Sequence, residues 1–180
     1  MTIYARIKSV SENLNGKKLL HLGCSHGLFL DYLKVCEPKL ETVGIDICPE
    51  AVKLGRELGL NIKKINAKAI PFENEFDFIV SESFITLTYF RENDIKKIMQ
   101  ECEKALKLGG YLVIQNWTEF EDELIQIGKS TTNLKYEKEL SRFEKGTVTY
   151  EFNQPRLFFE KNRIDNLISW CVVVLLRWLS

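Results

Sequence analysis

The sequence predicts an α/β fold: a doubly wound, mostly parallel sheet with helices on both faces. Three observations carry that prediction. Short apolar runs of strand length alternate with segments of helical periodicity over residues 18–117. Turn signals separate them, at Asn15-Gly16, Gly23–Gly27, Gly59 and Gly109-Gly110. Finally, Phe76–Ser81 is almost continuously apolar, the pattern of a strand covered on both faces.

Ile3, Ile7, Val10 and Leu14 recur at helical spacing and predict an amphipathic helix over 3–14, stopped by Asn15-Gly16. Lys18–Gly23 reads as the first strand. His26–Cys36 reads as the next helix, with Phe29, Leu30, Leu33 and Val35 on its apolar side. Glu41–Asp46 is the second strand. Pro49–Leu58 is a helix, because a first turn leaves its N–H groups unpaired and loses nothing at Pro49. Leu60–Ile65 is the third strand, 66–75 is turn-like, and Phe76–Ser81 is the fourth strand. Asn93–Leu108 is a helix with Ile95, Ile98, Met99, Cys102 and Leu106 on one side; Gly109-Gly110 reads as its terminator and Tyr111–Trp117 as the fifth strand. Beyond Trp117 the pattern predicts a short helix at Glu119–Ile127 and a hairpin of Tyr136–Phe143 and Thr147–Phe152. The least regular segment, 153–180, holds one helix, Arg156–Asn166, and one strand, Trp170–Trp178.

The 180 residues carry 25 basic and 25 acidic side chains, so the formal net charge is zero. That balance provides no global field for a phosphate backbone, and no nucleic-acid partner is expected. Length and an apolar content of 45% predict a single folded domain over 1–180. The five cysteines, at 24, 36, 48, 102 and 171, are odd in number and contain no C-x-x-C pair. Neither a disulfide framework nor a metal site is expected, and the thiols read as those of a reduced, cytoplasmic protein. The first residues lack a secretory apolar run. The apolar stretch within Leu167–Leu179 contains Arg177 and is too short to span a bilayer as a helix, so no membrane partner is expected.

Gly23-Cys24-Ser25-His26-Gly27 joins the first strand to its helix. Small residues there let the backbone approach a ligand and aim free N–H groups at it, at the strand ends where such sheets bind ligands. A nicotinamide dinucleotide site needs glycine at the positions of Gly23, Ser25 and Leu28, and Ser25 and Leu28 fail. The same residues spell G-x-S-x-G, a nucleophile elbow. The only histidines are His21 and His26, however, and none follows later in the chain to act as the base of a serine hydrolase. Asp46 ends the second strand, 23 residues after Gly23, where a carboxylate can accept hydrogen bonds from both hydroxyls of a ribose or cap the helix at Pro49.

Four segments in order resemble class I S-adenosylmethionine-dependent methyltransferases of the small-molecule branch. They are His21–Gly27, Val43–Val52, Asn66–Phe72 and Ala105–Ile114, and the resemblance covers about residues 17–117. Phe84–Phe90 and the later hairpin are also similar to one small-molecule subgroup. The resemblance implies a Rossmann-like fold, S-adenosyl-L-methionine as cofactor, and methyl transfer to a small-molecule acceptor. It places Gly23, Cys24, Ser25 and Gly27 in the cofactor loop, with His21 where the family usually has an acidic residue. Asp46 is placed on the ribose, Ile47 and Ile70 on the adenine faces, and Asn66 and Ala67 on the adenine edge. Ser81 falls at the methionine end; Glu82, Tyr89 and Phe90 are the acceptor-side candidates. Methyl displacement from a sulfonium needs alignment and desolvation more than an acid–base pair, which fits the missing downstream histidine.

His21 and Ser25 depart from the family pattern and define an alternative: a binding protein that keeps the fold and has lost catalysis. An RNA methyltransferase is disfavoured by the neutral charge and by the absence of Asn-Pro-Pro-Tyr after the fourth strand. The family's sheet usually ends in an antiparallel pair after the fifth strand. Only one further strand is expected here, so the sheet is expected to be shortened at its C-terminal end. The run Cys171–Leu176 is expected either to pack as the last strand or to stay partly exposed, and an exposed apolar edge there would favour a homodimer.

Overall fold

The structure, a computed structural model, describes residues 3–116, 121–136 and 172–178. Its elements run α1 (Ile3–Val10), β1 (Lys18–Leu22), α2 (Leu28–Cys36), β2 (Glu41–Asp46), α3 (Pro49–Glu57), β3 (Ile62–Lys64) and β4 (Phe76–Glu82). They continue with α4 (Glu92–Ala105), β5 (Leu106–Asn116), α5 (Glu121–Thr131), β6 (Leu134–Tyr136) and β7 (Val172–Trp178). Seven strands form one sheet in the order β3-β2-β1-β4-β5-β7-β6. The first five in chain order are parallel, and β7 is antiparallel to both β5 and β6.

Alternation along the strands sorts the core into two layers. Leu20, Leu22, Ile79, Leu112 and Ile114 pack on one face with α4 and α5 residues such as Ile98, Met99 and Leu124. Leu19, Phe78, Val80 and Val113 pack on the other with Ile7, Leu30, Leu33 and Val52 of α1, α2 and α3. Both faces of the central strands are therefore buried, which is why their sequences read as continuous apolar runs. The strand order reverses between β1 and β4. This leaves a crevice at their carboxyl ends, where open α/β sheets take ligands.

Several boundaries differ from the sequence expectation: β3 is shorter than Leu60–Ile65 and α5 runs past Ile127 to Thr131. The first helix ends at Val10, not Leu14, because Ser11 and Asn13 turn the chain: Ser11 Oγ donates to the Asn13 carbonyl, and Asn13 Oδ1 accepts the Asn15 N–H. Leu14 is nonetheless buried. α4 ends at Ala105, because Leu106 pairs with Phe76 and begins β5 directly. Gly109, with φ +78°, accommodates the irregularity in that ladder and does not terminate a helix. The end of the sheet holds two strands after β5, not one, so the seven-stranded sheet is not shortened as expected.

β6 begins at Leu134 and is described as far as Tyr136, the first residue of the expected hairpin strand; the rest of that strand, 137–143, lies outside the described residues. The hairpin partner and the helix 156–166 lie outside the described residues. β7 lies between β5 and β6, so it is not simply an edge; β6 pairs with Leu176–Trp178. Among the described residues, no helix is long and apolar enough to cross a membrane, and Cys24, Cys36, Cys48 and Cys102 are free thiols.

Candidate functional site

The turn after β1 alternates left-handed residues. Gly23 has φ +61°, Ser25 φ +51° and Gly27 φ +91°. Glycine adopts this conformation freely, whereas a side chain there costs about 1–2 kcal/mol. At Ser25 the cost is opposed by a charge-assisted hydrogen bond: its backbone N–H donates to Asp46 Oδ2 at 2.8 Å. Asp46 Oδ1 accepts the N–H of Cys48 at 2.9 Å, at the start of α3. The carboxylate thus ties the turn after β1 to the residue that precedes α3, and it does not cap that helix as its position suggested. A carboxylate has about four lone-pair sites, and these two bonds leave acceptor capacity on each oxygen.

Gly23, Asp46, Ile47, Asn66, Ala67 and Phe90 line one cleft, together with Ile45, Ile65, Phe84 and Ile98. Ile47 is 65% exposed and forms its outer apolar wall. Asn66 Oδ1 accepts the Lys68 N–H at 2.9 Å, which shapes the loop after β3. A buried clamp fixes the far end of that loop. Glu101 Oε2 accepts the Ile70 N–H at 3.0 Å and pairs with Lys104 Nζ at 2.8 Å, while Lys104 also donates to the Ile70 carbonyl at 2.9 Å. The carboxyl of Glu101 is held below its ordinary pKa by Lys104 and Lys97, against the effect of its burial.

On the other side of Gly23, His21, Cys24, Ser25 and Glu82 line a second cavity of about 170 Å³, with His26, Leu28 and Phe29. His21 is 5% exposed, and its ring meets Phe29 edge-on at 5.4 Å. Burial drives its pKa down to about 4, so the imidazole is neutral. Burial likewise pushes the Cys24 thiol up to about 12, which makes it unreactive packing. The Ser25 hydroxyl lies 3.3 Å from His26 Nδ1, a contact between backbone neighbours on an exposed turn.

Four expected site residues lie elsewhere. Ile70 is 1% exposed, in the core, and does not line the cleft. Ser81 is fully buried, and its hydroxyl accepts the Ile85 N–H at 3.0 Å to close the turn after β4. Gly27 lines neither cavity; a Cβ there would stand 2.7 Å from Ile62 Cδ1 and from Leu60 Cδ1, so this glycine serves packing. Tyr89 is 70% exposed and borders neither cavity, while Phe90 lines the first cleft.

The residue the sequence reading missed is Phe84. A Cβ on Gly23 would stand 2.3 Å from Phe84 Cδ2, so this ring fills the space that the glycine leaves. Ser83, at φ +53°, turns the chain back so that Phe84 reaches Gly23, and Phe90 packs edge-on against it at 5.1 Å. The cleft retains only about 50 Å³ of free space. Gly23 lines both cavities, and Phe84 stands at their junction.

A crevice at the reversal of a parallel sheet, a glycine-bearing turn and a strand-end carboxylate with free acceptor capacity define a nucleotide-type cofactor site. The family model for a methyltransferase domain matches residues 20–114, and the chain belongs to that family. The fold is that of S-adenosylmethionine-dependent methyltransferases. A TehB-like member from Corynebacterium glutamicum superposes with a TM-score of 0.66 at 17% identity, over 97% of this chain and 88% of that one.

Among curated relatives, the phthiotriol/phenolphthiotriol dimycocerosates methyltransferase of Mycobacterium leprae is 29% identical over 106 residues, which is 56% of this chain and 37% of that protein. The tRNA (carboxymethyluridine(34)-5-O)-methyltransferase of Arabidopsis thaliana is 24% identical over 138 residues, 76% of this chain and 33% of that protein. The chain therefore spans about a third of the length of these relatives.

The depressed pKa of His21 has a measurable consequence. In the unfolded chain the imidazole takes up a proton near pH 6.5, whereas the folded state refuses it until about pH 4. Stability is therefore present above pH 6.5 and is lost as pH falls toward 4, by about 2 kcal/mol between pH 7 and pH 5. Urea unfolding of the wild type and His21→Gln at those two pH values checks this. The wild type should lose about 2 kcal/mol more than the variant, and equal losses would show that His21 is not the titrating group.

Proposed function

We propose that the chain transfers a methyl group from S-adenosylmethionine to a small-molecule acceptor. The observation that carries the cofactor side is Asp46: it secures the glycine turn through Ser25 and keeps acceptor capacity on both oxygens. The residues present fit the cofactor's parts. Asp46 would accept from the ribose hydroxyls. Ile47 and Ile65 offer apolar walls to the adenine, and Asn66 and Ala67 border its edge. The cavity beyond Gly23 lies beside the turn and would take the amino-acid end.

When bound, the cofactor supplies a methyl group on a sulfonium, already activated toward a nucleophilic O, N, S or C atom. What remains for this chain is alignment and exclusion of water. The glycine turn and the apolar cleft serve those ends. No acid–base pair is needed, in keeping with histidines only at 21 and 26.

The charge balance of 25 against 25 supports a small acceptor, because phosphate-backbone binding draws on an excess of Lys and Arg. The Mycobacterium leprae relative is named for a small-molecule substrate and favours the same reading; the Arabidopsis thaliana relative is named for tRNA and keeps RNA as the competing acceptor. We also propose a homodimer through β7. No described strand pairs with the outer side of Val172–Leu175, although β6 covers Leu176–Trp178.

Two measurements check this function. Calorimetry with S-adenosylhomocysteine should show binding by the wild type and an affinity lower by about 1.5–3 kcal/mol in Asp46→Ala, the scale of hydrogen bonds to a charged group. Phe84→Ala should bind about tenfold more tightly, since the wild-type ring must first leave Gly23 and lose burial worth on the order of 1–2 kcal/mol. Unchanged affinity in Asp46→Ala would remove that residue from the site. The second measurement uses methyl-labelled S-adenosylmethionine with a cell extract split into RNA and small-molecule fractions. Label is expected in the small molecules. Label in RNA would contradict the acceptor class, and no transfer despite cofactor binding would identify a non-catalytic member of the family.

A further inference from the structure

We propose that Glu82 and His21 together seat the ammonium group at the amino-acid end of the cofactor, so that the negative charge is supplied from β4 and not from β1. The inference rests on the cofactor reading above and assigns a pair of residues within it. Both residues line the 170 Å³ cavity beyond Gly23. The register places them together: His21 pairs with Val80 and Leu22 with Ser81, so His21, Val80 and Glu82 share one face of the sheet at the strand ends.

His21 brings a neutral ring whose buried Nδ1 has no hydrogen-bond partner. An orphaned buried polar atom of this kind is destabilising unless a ligand satisfies it. With the proton on Nε2, the Nδ1 lone pair accepts a hydrogen bond. A neutral imidazole replaces the geometry of an acidic side chain but not its charge.

Glu82 supplies that charge. Among the described residues it is the one carboxylate lining this cavity, and no described Lys or Arg lines it. Among the described residues no ion pair reaches Glu82. Glu82 is exposed at the end of β4; partial loss of water on the cavity side of its carboxyl raises its pKa above the ordinary glutamate value. A carboxylate in that setting gains from a cation delivered by the ligand. A primary ammonium has three donors, and two carboxylate oxygens with one imidazole nitrogen match them. A neutral or anionic group in the same place would leave Glu82 uncompensated.

The test compares two ligands by calorimetry on the full chain: S-adenosylhomocysteine, which carries the amino-acid end, and methylthioadenosine, which lacks it. Glu82→Gln keeps the side chain's shape and removes its charge. It should weaken S-adenosylhomocysteine at least tenfold and leave methylthioadenosine unchanged, and the latter also reports that the cleft remains folded. Unchanged affinity for S-adenosylhomocysteine, or an equal loss for both ligands, would overturn the assignment. A wild type that binds neither ligand would overturn the cofactor reading and this assignment with it.

Discussion

The carboxylate of Asp46 is the joint on which the site depends. It terminates β2, and its two oxygens accept N–H groups from two different segments: Ser25 in the turn after β1 and Cys48 before α3. Adjacent parallel strands already align β1 and β2, with Leu22 opposite Ile45. The side chain extends that alignment beyond the ladder and into the loops. It also offsets the left-handed conformation of Ser25, which costs about 1–2 kcal/mol for a residue with a Cβ. Geometry set by the sheet thus becomes geometry of the turn. The same oxygens remain available to a ligand because a carboxylate accepts more bonds than these two.

A second constraint comes from how closely the turn is packed. Gly44 faces Cys24 and Leu30 so tightly that a Cβ would lie 2.6 Å from Cys24 Sγ and 2.7 Å from Leu30 Cδ1. Gly55 lets α3 approach the carbonyl of His26 in the same way, with a Cβ position 2.8 Å from that oxygen. Glycines outside the motif therefore press the motif into place. On the opposite side of the cleft, Glu101, Lys97 and Lys104 clamp the loop that carries Asn66 and Ala67. The site is held by elements that never meet the ligand, while Phe84 and Phe90 on the connection after β4 form its other wall.

Most of the sheet was legible in the sequence because its central strands are buried on both faces, and burial writes itself as apolar runs such as Phe78-Ile79-Val80. Boundaries decided by pairing were not legible. Leu106–Leu108 continue the helical pattern of α4, but the partner Phe76 draws them into β5. The start of β6 at Leu134 was not legible because its pairing with β7 joins residues far apart in sequence. Gly23 and Asp46 were readable from turn chemistry and strand-end spacing, whereas Ile47, Asn66 and Ala67 came only with the family resemblance; all five line one cleft. Ser81 and Ile70 were misplaced because a position next to the site does not fix which way a side chain points. Phe84 was invisible as a site residue, since its place depends on the left-handed backbone at Ser83, a residue without glycine's signature.

The central claim is that the Asp46-held turn is where the cofactor binds. An amide ¹⁵N NMR titration of the full chain with S-adenosylhomocysteine tests it most directly. The account predicts saturable shifts concentrated at Gly23, Cys24, Ser25, Ile47, Ala67 and Phe84, with little change at β3 or in α5. Shifts that spare the turn and concentrate elsewhere, or no shifts at millimolar ligand, would contradict it.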